Sequence, residues 1–323
     1  MEQRLDTSII FQPVQPDLRE VEKLLSEVSA VPSPQLSAML SHIFRSGGKR
    51  LRPTITLLSG HLFHYQPDVI IPAAAAVEIL HTATLVHDDV IDNSPRRRGQ
   101  ATINHLWGND IAILLGDYLI TAAEELAART NNIKTPELLA QTIMAITRAE
   151  IEEDFNHFNL NKTREQYYRQ INDKTAALFA AAVTAGAILG KASRDEIIRL
   201  QTYARNLGMA FQIMDDILDF IGTEEELGKP VGADLRQGTI TLPVILFLEQ
   251  HPGDDSLQNL CEQHNNVALL QAALQQVATS SAITECSHIA QDYCGRAKQA
   301  LGTLPDGDYR QALTAITEIV MAH

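Results

Sequence analysis

Residues 69–92 read VIIPAAAAVEILHTATLVHDDVID. Apolar side chains recur in this stretch at spacings of three and four, which predicts one long helix rather than a strand. Its acidic residues are concentrated at the C-terminal end, in DDVID at 88–92. The arrangement occurs a second time, because the predicted helix 194–220 carries DDILD at 215–219. Two long apolar helices that each end in an acidic motif therefore define the predicted architecture.

The same periodicity continues through most of the chain, and alternating strand-like patterns are rare. Capping-box pairs, Thr163 with Gln166 and Ser193 with Glu196, support two of the helix starts. No linker rich in Gly, Ser or Pro divides the chain, so we expect one all-α domain over residues 1–323, a large helical bundle around a central cavity. The remaining helices are predicted at 17–30, 35–45, 53–64, 109–129, 136–158, 164–171, 174–190, 241–250, 266–279, 283–302 and 308–322.

Composition narrows the possible functions. Of the 323 residues, 45% are apolar, which is enough to build a sizeable core. The net charge of −14 argues against a nucleic-acid partner, because binding a phosphate backbone requires a basic face. The three cysteines, Cys261, Cys286 and Cys294, lack metal-type spacing and indicate a reducing compartment. We found neither a signal peptide nor a long uncharged apolar run, so the expected location is the cytoplasm, with no membrane span.

The first acidic motif contains Asp88, Asp89 and Asp92. On a helix, positions i and i+4 share a face, so Asp88 and Asp92 point in the same direction. Two carboxylates placed this way repel each other unless a cation lies between them, and Mg²⁺ prefers such hard oxygen ligands together with phosphate oxygens. The alternative for this motif alone is a solvated acidic helix end.

The second acidic motif contains Asp215, Asp216 and Asp219, embedded among apolar residues of FQIMDDILDF. Burying unpaired charge is expensive, so we expect these aspartates to have a function rather than to be idle surface groups. Two such motifs on separate helices could face each other across a cavity and hold Mg²⁺ around a diphosphate. The polar loop 222–241 that follows is about 20 residues long, and loops of this length are usually functional.

Basic residues occur in two further motifs and at two isolated positions. In GGKRLRP (47–53), the glycines allow close approach of a ligand, and a helix starting near Pro53 offers free N–H groups to an anion. Adjacent arginines in RRR (96–98) could make bidentate bonds to different phosphates. Lys174 and Lys229 are further candidates, although each taken alone is more often a surface charge.

With these motifs in order, the sequence resembles the trans-isoprenyl diphosphate synthases, and most closely the long-chain polyprenyl (octaprenyl-type) members. The resemblance covers roughly residues 35 to 250. It is carried by GGKRLRP (47–53), LVHDDVIDNSPRRRG (85–99), DKTAALF (173–179) and FQIMDDILDFIGTEEELGKPVGAD (211–234). It implies the isoprenoid synthase fold, a homodimer and Mg²⁺-dependent head-to-tail condensation of an allylic diphosphate with isopentenyl diphosphate. It also implies peripheral membrane contact during product release.

The resemblance also implies a role for each matching residue. About three Mg²⁺ ions would be held with substrate bound, by Asp88, Asp92 and Asp215, supported by Asp89, Asp216 and Asp219. The allylic diphosphate would bind Arg97 and Lys174. The diphosphate of isopentenyl diphosphate would bind Lys49, Arg52, His81 and Arg98. Gln212 would line the reaction cavity, and Lys229 and Asp234 would belong to the loop that closes over it.

Two positions depart from the family pattern. Many members have a lysine where this chain has Thr239, and that lysine helps to bind the allylic diphosphate. A frequent Gly-Glu-x-x-Gln in the middle of the chain is Ala149 to Glu153 here, so a glutamate replaces the glutamine.

Product length is predicted from Ala83 and Thr84, where bulky aromatic side chains give short products in the family. Both residues are small here, so we expect a long product of about six to ten prenyl units, built along the helix below Asp88. A farnesyl or geranylgeranyl synthase is the alternative. The preferred primer and the physiological pathway stay open.

Two other classes of protein are alternatives for this sequence. A terpene cyclase or head-to-head synthase would need no isopentenyl diphosphate site, and Lys49, Arg52 and Arg98 together argue against it. A non-catalytic regulatory subunit of a heteromeric synthase would be expected to have lost aspartates, whereas both motifs are intact here.

Overall fold

The computed structural model describes residues 7–45, 47–223 and 231–322. Apart from one short hairpin, its regular structure is helical, which confirms the all-α fold. In chain order the helices are α1 (Ser8–Phe11), α2 (Gln15–Ser29), α3 (Pro34–Arg45), α4 (Leu51–His61), α5 (Pro67–Ile91), α6 (Ile103–Trp107), α7 (Asn109–Ala128), α8 (Lys134–Asp154), α9 (Arg164–Ile171), α10 (Ala177–Leu189), α11 (Arg194–Ile221), α12 (Ala233–Gln237), α13 (Leu242–Gln250), α14 (Ser256–Glu262), α15 (Val267–Ala278), α16 (Ser281–Leu301) and α17 (Asp308–Ala322).

Three further segments complete the description. A 3₁₀ turn covers Gln12–Val14, and a π turn, Asn172–Ala176, joins α9 to α10. The antiparallel strands β1 (Arg96–Arg97) and β2 (Gln100–Ala101) form a hairpin in which Arg97 pairs with Gln100.

Helix α10 lies at the centre of the bundle. Eleven of its thirteen residues are buried, and it packs against α4, α5, α8 and α11. Its stretch of small apolar residues allows these neighbours to approach closely. At Gly186, an added Cβ would lie 2.1 Å from the carbonyl oxygen of Thr56 on α4. The contact between α10 and α4 therefore requires glycine at this position.

Helix α5 contributes one acidic motif and much of the core. Fourteen of its 25 residues are buried, and it packs against α7, α4, α10 and α2. Among the described helices it alone is long and apolar enough to cross a membrane, but 67% of the qualifying window is buried inside the protein. A core helix passes the same test, so this is weak evidence for a span.

Helix α11 contributes the other acidic motif. It starts at the capping box of Ser193 and Glu196, and α9 starts at that of Thr163 and Gln166, which confirms both predicted helix starts. α11 then packs along α16 and α10 and contributes to both hydrophobic clusters of the described structure. The acidic ends of α5 and α11 are thus fixed by packing along long helices.

Three local predictions were wrong. The predicted helix 136–158 ends at Asp154, because Phe158 has a positive φ of 58° and its N–H donates to the carbonyl of Gly238, at 2.7 Å. The predicted loop 222–241 contains the short helix α12, bounded by the left-handed residues Gly232 and Gly238. Helices α6 and α14 and the β hairpin were missed, because elements this short do not produce a clear periodic pattern.

We predict that Gly186→Ala destabilises the protein by about 1–3 kcal/mol or more, because the new Cβ collides with the backbone of α4 rather than with a movable side chain. Chemical denaturation at equilibrium measures the change. Gly295→Ala on α16 is the matched control, since nothing lies within 4 Å of its added Cβ. In a helix that control should be neutral or stabilising by up to about 1 kcal/mol. Equal stability of both variants would contradict the proposed tight contact.

Candidate active site

A cavity of about 600 Å³ opens where the C-terminal ends of α5, α8 and α11 meet. Its described wall carries eight carboxylates but only five lysine and arginine side chains. The carboxylates are Asp88, Asp92, Glu150, Glu153, Asp154, Asp215, Asp216 and Asp234, and the cations are Arg52, Arg97, Arg98, Lys162 and Lys174. The acidic excess means that a polyanionic ligand would need additional cations here.

The three aspartates of the first acidic motif, at the end of α5, lie in two different environments. Asp88 and Asp92 line the cavity, whereas Asp89 is buried and accepts a hydrogen bond from Nε of Arg97 at 2.8 Å. Burial and the nearby charge of Glu150 raise the pKa of Asp88 to about 7. The shift reflects mainly burial of the carboxylate, with crowding by other acids adding to it, and a bound cation would oppose both effects.

The aspartates of the second motif, on α11, also differ in their environments. Asp215 is exposed at the cavity wall, while Asp216 is buried and accepts bonds from Tyr167 Oη at 2.6 Å and Gln212 Nε2 at 2.8 Å. Burial and the charge of Asp234 raise the pKa of Asp216 to about 8. Both oxygens of Asp216 are therefore occupied by protein donors, and this residue orients its surroundings.

Asp219 lies deeper and does not line the cavity. Its carboxylate accepts the N–H of Asp234 at 3.2 Å, and its carbonyl accepts the N–H of Gly232 at 2.8 Å. These bonds attach the start of α12 to α11. Asp219 therefore positions Asp234, which does line the cavity.

A basic cluster lies on the side of the cavity near α4. Nη1 of Arg52 is 3.0 Å from Nε2 of His81, and its guanidinium lies over the ring of Phe179. The buried Nε of Arg52 has no hydrogen-bond partner among the described residues, and burial lowers the pKa of this side chain to about 10. Burial and the charge of Arg52 lower the pKa of His81 far enough that its imidazole is neutral at pH 7.

Arg98 joins this cluster by donating to the carbonyl of Gly47. A Cβ at Gly48 would lie 2.7 Å from Nη1 of Arg98, so a larger residue at position 48 would require the end of the arginine to shift. Lys49 lies outside the cavity wall, but burial and the charge of Arg98 lower its pKa. Arg52, Arg98 and Lys49 thus concentrate positive charge beside the cavity.

The two predicted allylic contacts are already paired with carboxylates. Arg97 is bonded to Asp89, and Nζ of Lys174 lies 2.9 Å from Glu150 and 2.6 Å from Glu153. Although burial lowers it, the charges of Glu153 and Glu150 raise the pKa of Lys174 overall. Both cations are therefore held in defined positions at the cavity wall.

Several wall residues were not assigned from the sequence. Tyr167, Lys162 and Thr175 line the cavity, and Thr175 donates to Oε1 of Gln212 at 2.6 Å, continuing the chain of bonds to Asp216. Glu150 and Glu153 were noted only as part of a departure from the family pattern. Their spacing of three on one helix face was the available signal, whereas Lys162 and Tyr167 stand in no recognisable motif.

The remaining predicted residues are placed as follows. Thr84 lines the cavity and donates to the carbonyl of His81, whereas Ala83 is fully buried away from the wall. Thr239 lines the cavity, and Lys229 lies outside the described residues.

No group of three or more His, Cys, Asp or Glu side chains in the described ranges is arranged to hold a metal ion unaided. Asp88 and Asp92 instead share the cavity with Asp215 on a different helix. This divided set of hard oxygen donors fits Mg²⁺, which commonly takes one or two carboxylates and completes its shell with phosphate oxygens and water.

A helical bundle with two acidic motifs around one cavity has the isoprenoid synthase fold. The Polyprenyl synthetase family profile matches residues 33–277. The chain therefore belongs to the polyprenyl synthetase family.

Individual relatives match over nearly the whole chain. The heptaprenyl diphosphate synthase component 2 of Bacillus subtilis is 38% identical over 304 residues, covering 94% of this chain and 87% of that protein. The octaprenyl diphosphate synthase of Escherichia coli is 35% identical over 282 residues, covering 87% of each. A polyprenyl synthase from Caulobacter crescentus, solved with calcium and isoprenyl diphosphate, superposes with a TM-score of 0.95 at 33% identity over 100% of this chain and 99% of that one. Other matched proteins carry product names from short-chain and geranylgeranyl to decaprenyl.

We predict that Tyr167→Phe destabilises the protein by about 1–3 kcal/mol, because the buried carboxyl of Asp216 loses a hydrogen-bond donor. Chemical denaturation measures the effect. Tyr168→Phe on the same helix is the control, since its ring is only partly buried. A loss of stability in the control as large as in Tyr167→Phe would contradict the importance of this bond.

Proposed function

We propose that this protein is a Mg²⁺-dependent trans-polyprenyl diphosphate synthase that condenses an allylic diphosphate with isopentenyl diphosphate, head to tail. One observation carries the proposal: a single cavity combines carboxylates from two helices with a separate basic cluster at Arg52, His81 and Arg98. The acidic side suits a diphosphate bound through cations, and the basic side suits a diphosphate bound directly. Two anions held side by side are what the condensation requires.

The proposed allylic subsite lies between the acidic motifs. Asp88, Asp92 and Asp215 would hold about three Mg²⁺ ions together with the diphosphate. Arg97 and Lys174 would contact the same group, each oriented by its carboxylate partners. Magnesium bound there would neutralise the negative charge that develops on the leaving diphosphate.

The proposed isopentenyl diphosphate subsite is the basic cluster. Arg52, Arg98 and Lys49 would bind its diphosphate, and the neutral His81 would donate or accept one further hydrogen bond. Arg52 suits this role because its buried Nε lacks a partner among the described residues. A preorganised cation of this kind loses little entropy when the anion arrives.

The reaction follows from these positions. The allylic C–O bond breaks, and its electron pair leaves with the diphosphate. The double bond of isopentenyl diphosphate then supplies the electrons of the new C–C bond, which leaves a tertiary cation. A proton on the carbon next to that cation passes to the departed diphosphate, and the electrons of its C–H bond form the new double bond. Asp234 and Thr239 belong to the segment that would cover the cavity and exclude water from the cation.

Residues 1–323 would act as one synthase domain, since α11 contributes to both hydrophobic clusters. The proposed location of this domain is the cytoplasm. A homodimer is supported by an exposed apolar face on α7, where Ile111, Leu114 and Tyr118 follow at spacings of three and four. The adjoining α8 exposes Met144, and Phe155 is exposed directly after the last residue of this helix. A heteromer is the second candidate, because one relative is named as component 2 of its synthase.

The activity is tested with the purified chain alone, supplied with labelled isopentenyl diphosphate and allylic primers, with Mg²⁺ or with a chelator. We predict Mg²⁺-dependent elongation in wild type. Asp88→Asn and Asp215→Asn should each reduce turnover by about a hundred-fold or more without lowering the melting temperature, because each removes a proposed metal ligand but no core contact.

Asp195→Asn, an exposed residue on the same helix as Asp215, is the control and should keep wild-type turnover. Elongation that survives chelation, or full turnover in a folded Asp215→Asn protein, would refute the proposed metal site. Activity that appears only with a second polypeptide would favour the heteromer.

Product length is proposed to be about six to ten prenyl units, because small side chains lie one helical turn below the metal site. Thr84 is better placed than Ala83 to meet the chain, since Thr84 lines the cavity. Its position four residues before Asp88 places it about 6 Å further along the helix axis.

We predict that Thr84→Phe shortens the product to about three or four units while ionisation continues, because an aromatic ring one turn below Asp88 blocks the growing chain. Chromatography of the dephosphorylated products measures the length. Thr84→Val keeps the volume of the side chain and should leave the product unchanged. Long products from an active Thr84→Phe enzyme would place the floor elsewhere, and a wild-type product of three or four units would exclude the long-chain proposal.

A further inference from the structure

Lys162 is a buried cation in the cavity wall to which neither the motifs nor the proposed mechanism gives a role. It lies between α8 and α9, and only 8% of its surface is exposed. Among the described residues, the hydrogen bond of its ammonium is to the carbonyl of Ile240, at 2.8 Å. A lysine ammonium has three donors, so two remain without a hydrogen-bond acceptor, although Nζ also lies 5.8 Å from the centre of the Tyr167 ring.

The charge of Lys162 is not neutralised by an ion pair with any described residue. The other two cations on the acidic side of the cavity differ in this respect, since Arg97 is paired with Asp89 and Lys174 with Glu150. Burial lowers the pKa of Lys162, and the charges of Glu153 and Asp216 oppose that effect without forming a contact. Keeping a lysine buried without a counterion is expensive, which indicates that an anion completes its environment.

Lys162 lies close to Thr239, the position at which many members of the family have a lysine instead. The segment 238–241 is bonded at two points to the segment between α8 and α9: Phe158 N–H donates to Gly238, and Lys162 donates to Ile240. The ammonium is therefore bonded to the residue that directly follows Thr239, and both side chains line the same cavity. Threonine cannot supply the positive charge that a lysine at 239 would bring, whereas Lys162 brings one from the neighbouring segment.

We propose that Lys162 is a further diphosphate-binding residue of the allylic subsite, which supplies from the α8–α9 segment the charge that Thr239 lacks. The ligand is a diphosphate group, bound through one or both remaining N–H donors of the ammonium. The inference rests on the proposed function for the identity of the substrate. A purely structural role, in which Lys162 only braces the 238–241 segment through Ile240, is the rival explanation.

The two explanations predict different results when a second substitution is used to restore the lost charge. Lys162→Met keeps the length of the side chain but removes both the charge and the bond to Ile240. Adding Thr239→Lys restores a charge to the cavity but not that bond. Binding of inorganic diphosphate in the presence of Mg²⁺, measured by calorimetry, reports on the subsite without turnover, and KM for each substrate reports on the reaction.

Lys162→Met should weaken binding of inorganic diphosphate and raise KM for the allylic primer about ten- to a hundred-fold, with KM for isopentenyl diphosphate unchanged. The double variant Lys162→Met with Thr239→Lys should recover about ten-fold of each loss. Lys162→Arg should keep most of the affinity, and Lys134→Met, at an exposed lysine on α8, should match wild type.

Unchanged diphosphate affinity in a folded Lys162→Met protein would overturn the proposal. A loss of stability and of kcat that Thr239→Lys does not repair would show that Lys162 is a brace. Failure of the proposed function is distinguishable from either result, because the wild-type protein would then elongate no primer. The calorimetric comparison would still decide whether Lys162 binds a diphosphate.

Discussion

The burial and mutual repulsion of carboxylates at the ends of α5 and α11 form the constraint on which the site depends. Burial and neighbouring charges raise the pKa of Asp88 and of Asp216, so the cavity without ligand is electrostatically unfavourable. The structure limits this cost by giving some of the acids protein partners, as with Asp89 and Arg97. Asp88 and Asp92 form no ion pair with a described residue and remain directed at the cavity. The electrostatic cost that protein partners do not offset is therefore located at the cavity, where a bound cation would reduce it.

Holding like charges together requires a rigid scaffold, and the apolar sequence of the long helices provides it. α10 packs against both motif-bearing helices and α8, so the three helix ends cannot move apart without opening the core. Asp219 extends the same rigidity outward, since its bonds to residues 232 and 234 attach α12 to α11. Packing energy from the core thus offsets the electrostatic cost of the site.

The sequence was sufficient for the long helices and the motif positions, because periodicity and motif spacing are properties of contiguous residues. It did not predict contacts between segments far apart in the chain. Lys162 reaches Ile240 across 78 positions, and Tyr167 reaches Asp216 across 49. The sequence also did not predict that Lys174 pairs with two glutamates, although all three residues lie in segments that match or depart from a family motif. Short elements such as α12 were missed because fewer than two turns give no period to detect.

Arg50 and Arg52 show why residue type and motif alone do not assign a role. They stand two positions apart in GGKRLRP, yet Arg50 is bonded to Glu22 at 2.5 Å and Glu78 at 2.8 Å and ties α2 and α5 to the start of α4. Arg52 has no carboxylate partner among the described residues and is bonded to His81. Arg50 is paired with carboxylates on two other helices and lies away from the cavity wall, whereas a buried cation at that wall with no counterion is available to an incoming anion. By this criterion Arg52 and Lys162 belong to the same class, on opposite sides of one cavity, although only Arg52 occupies a recognisable motif.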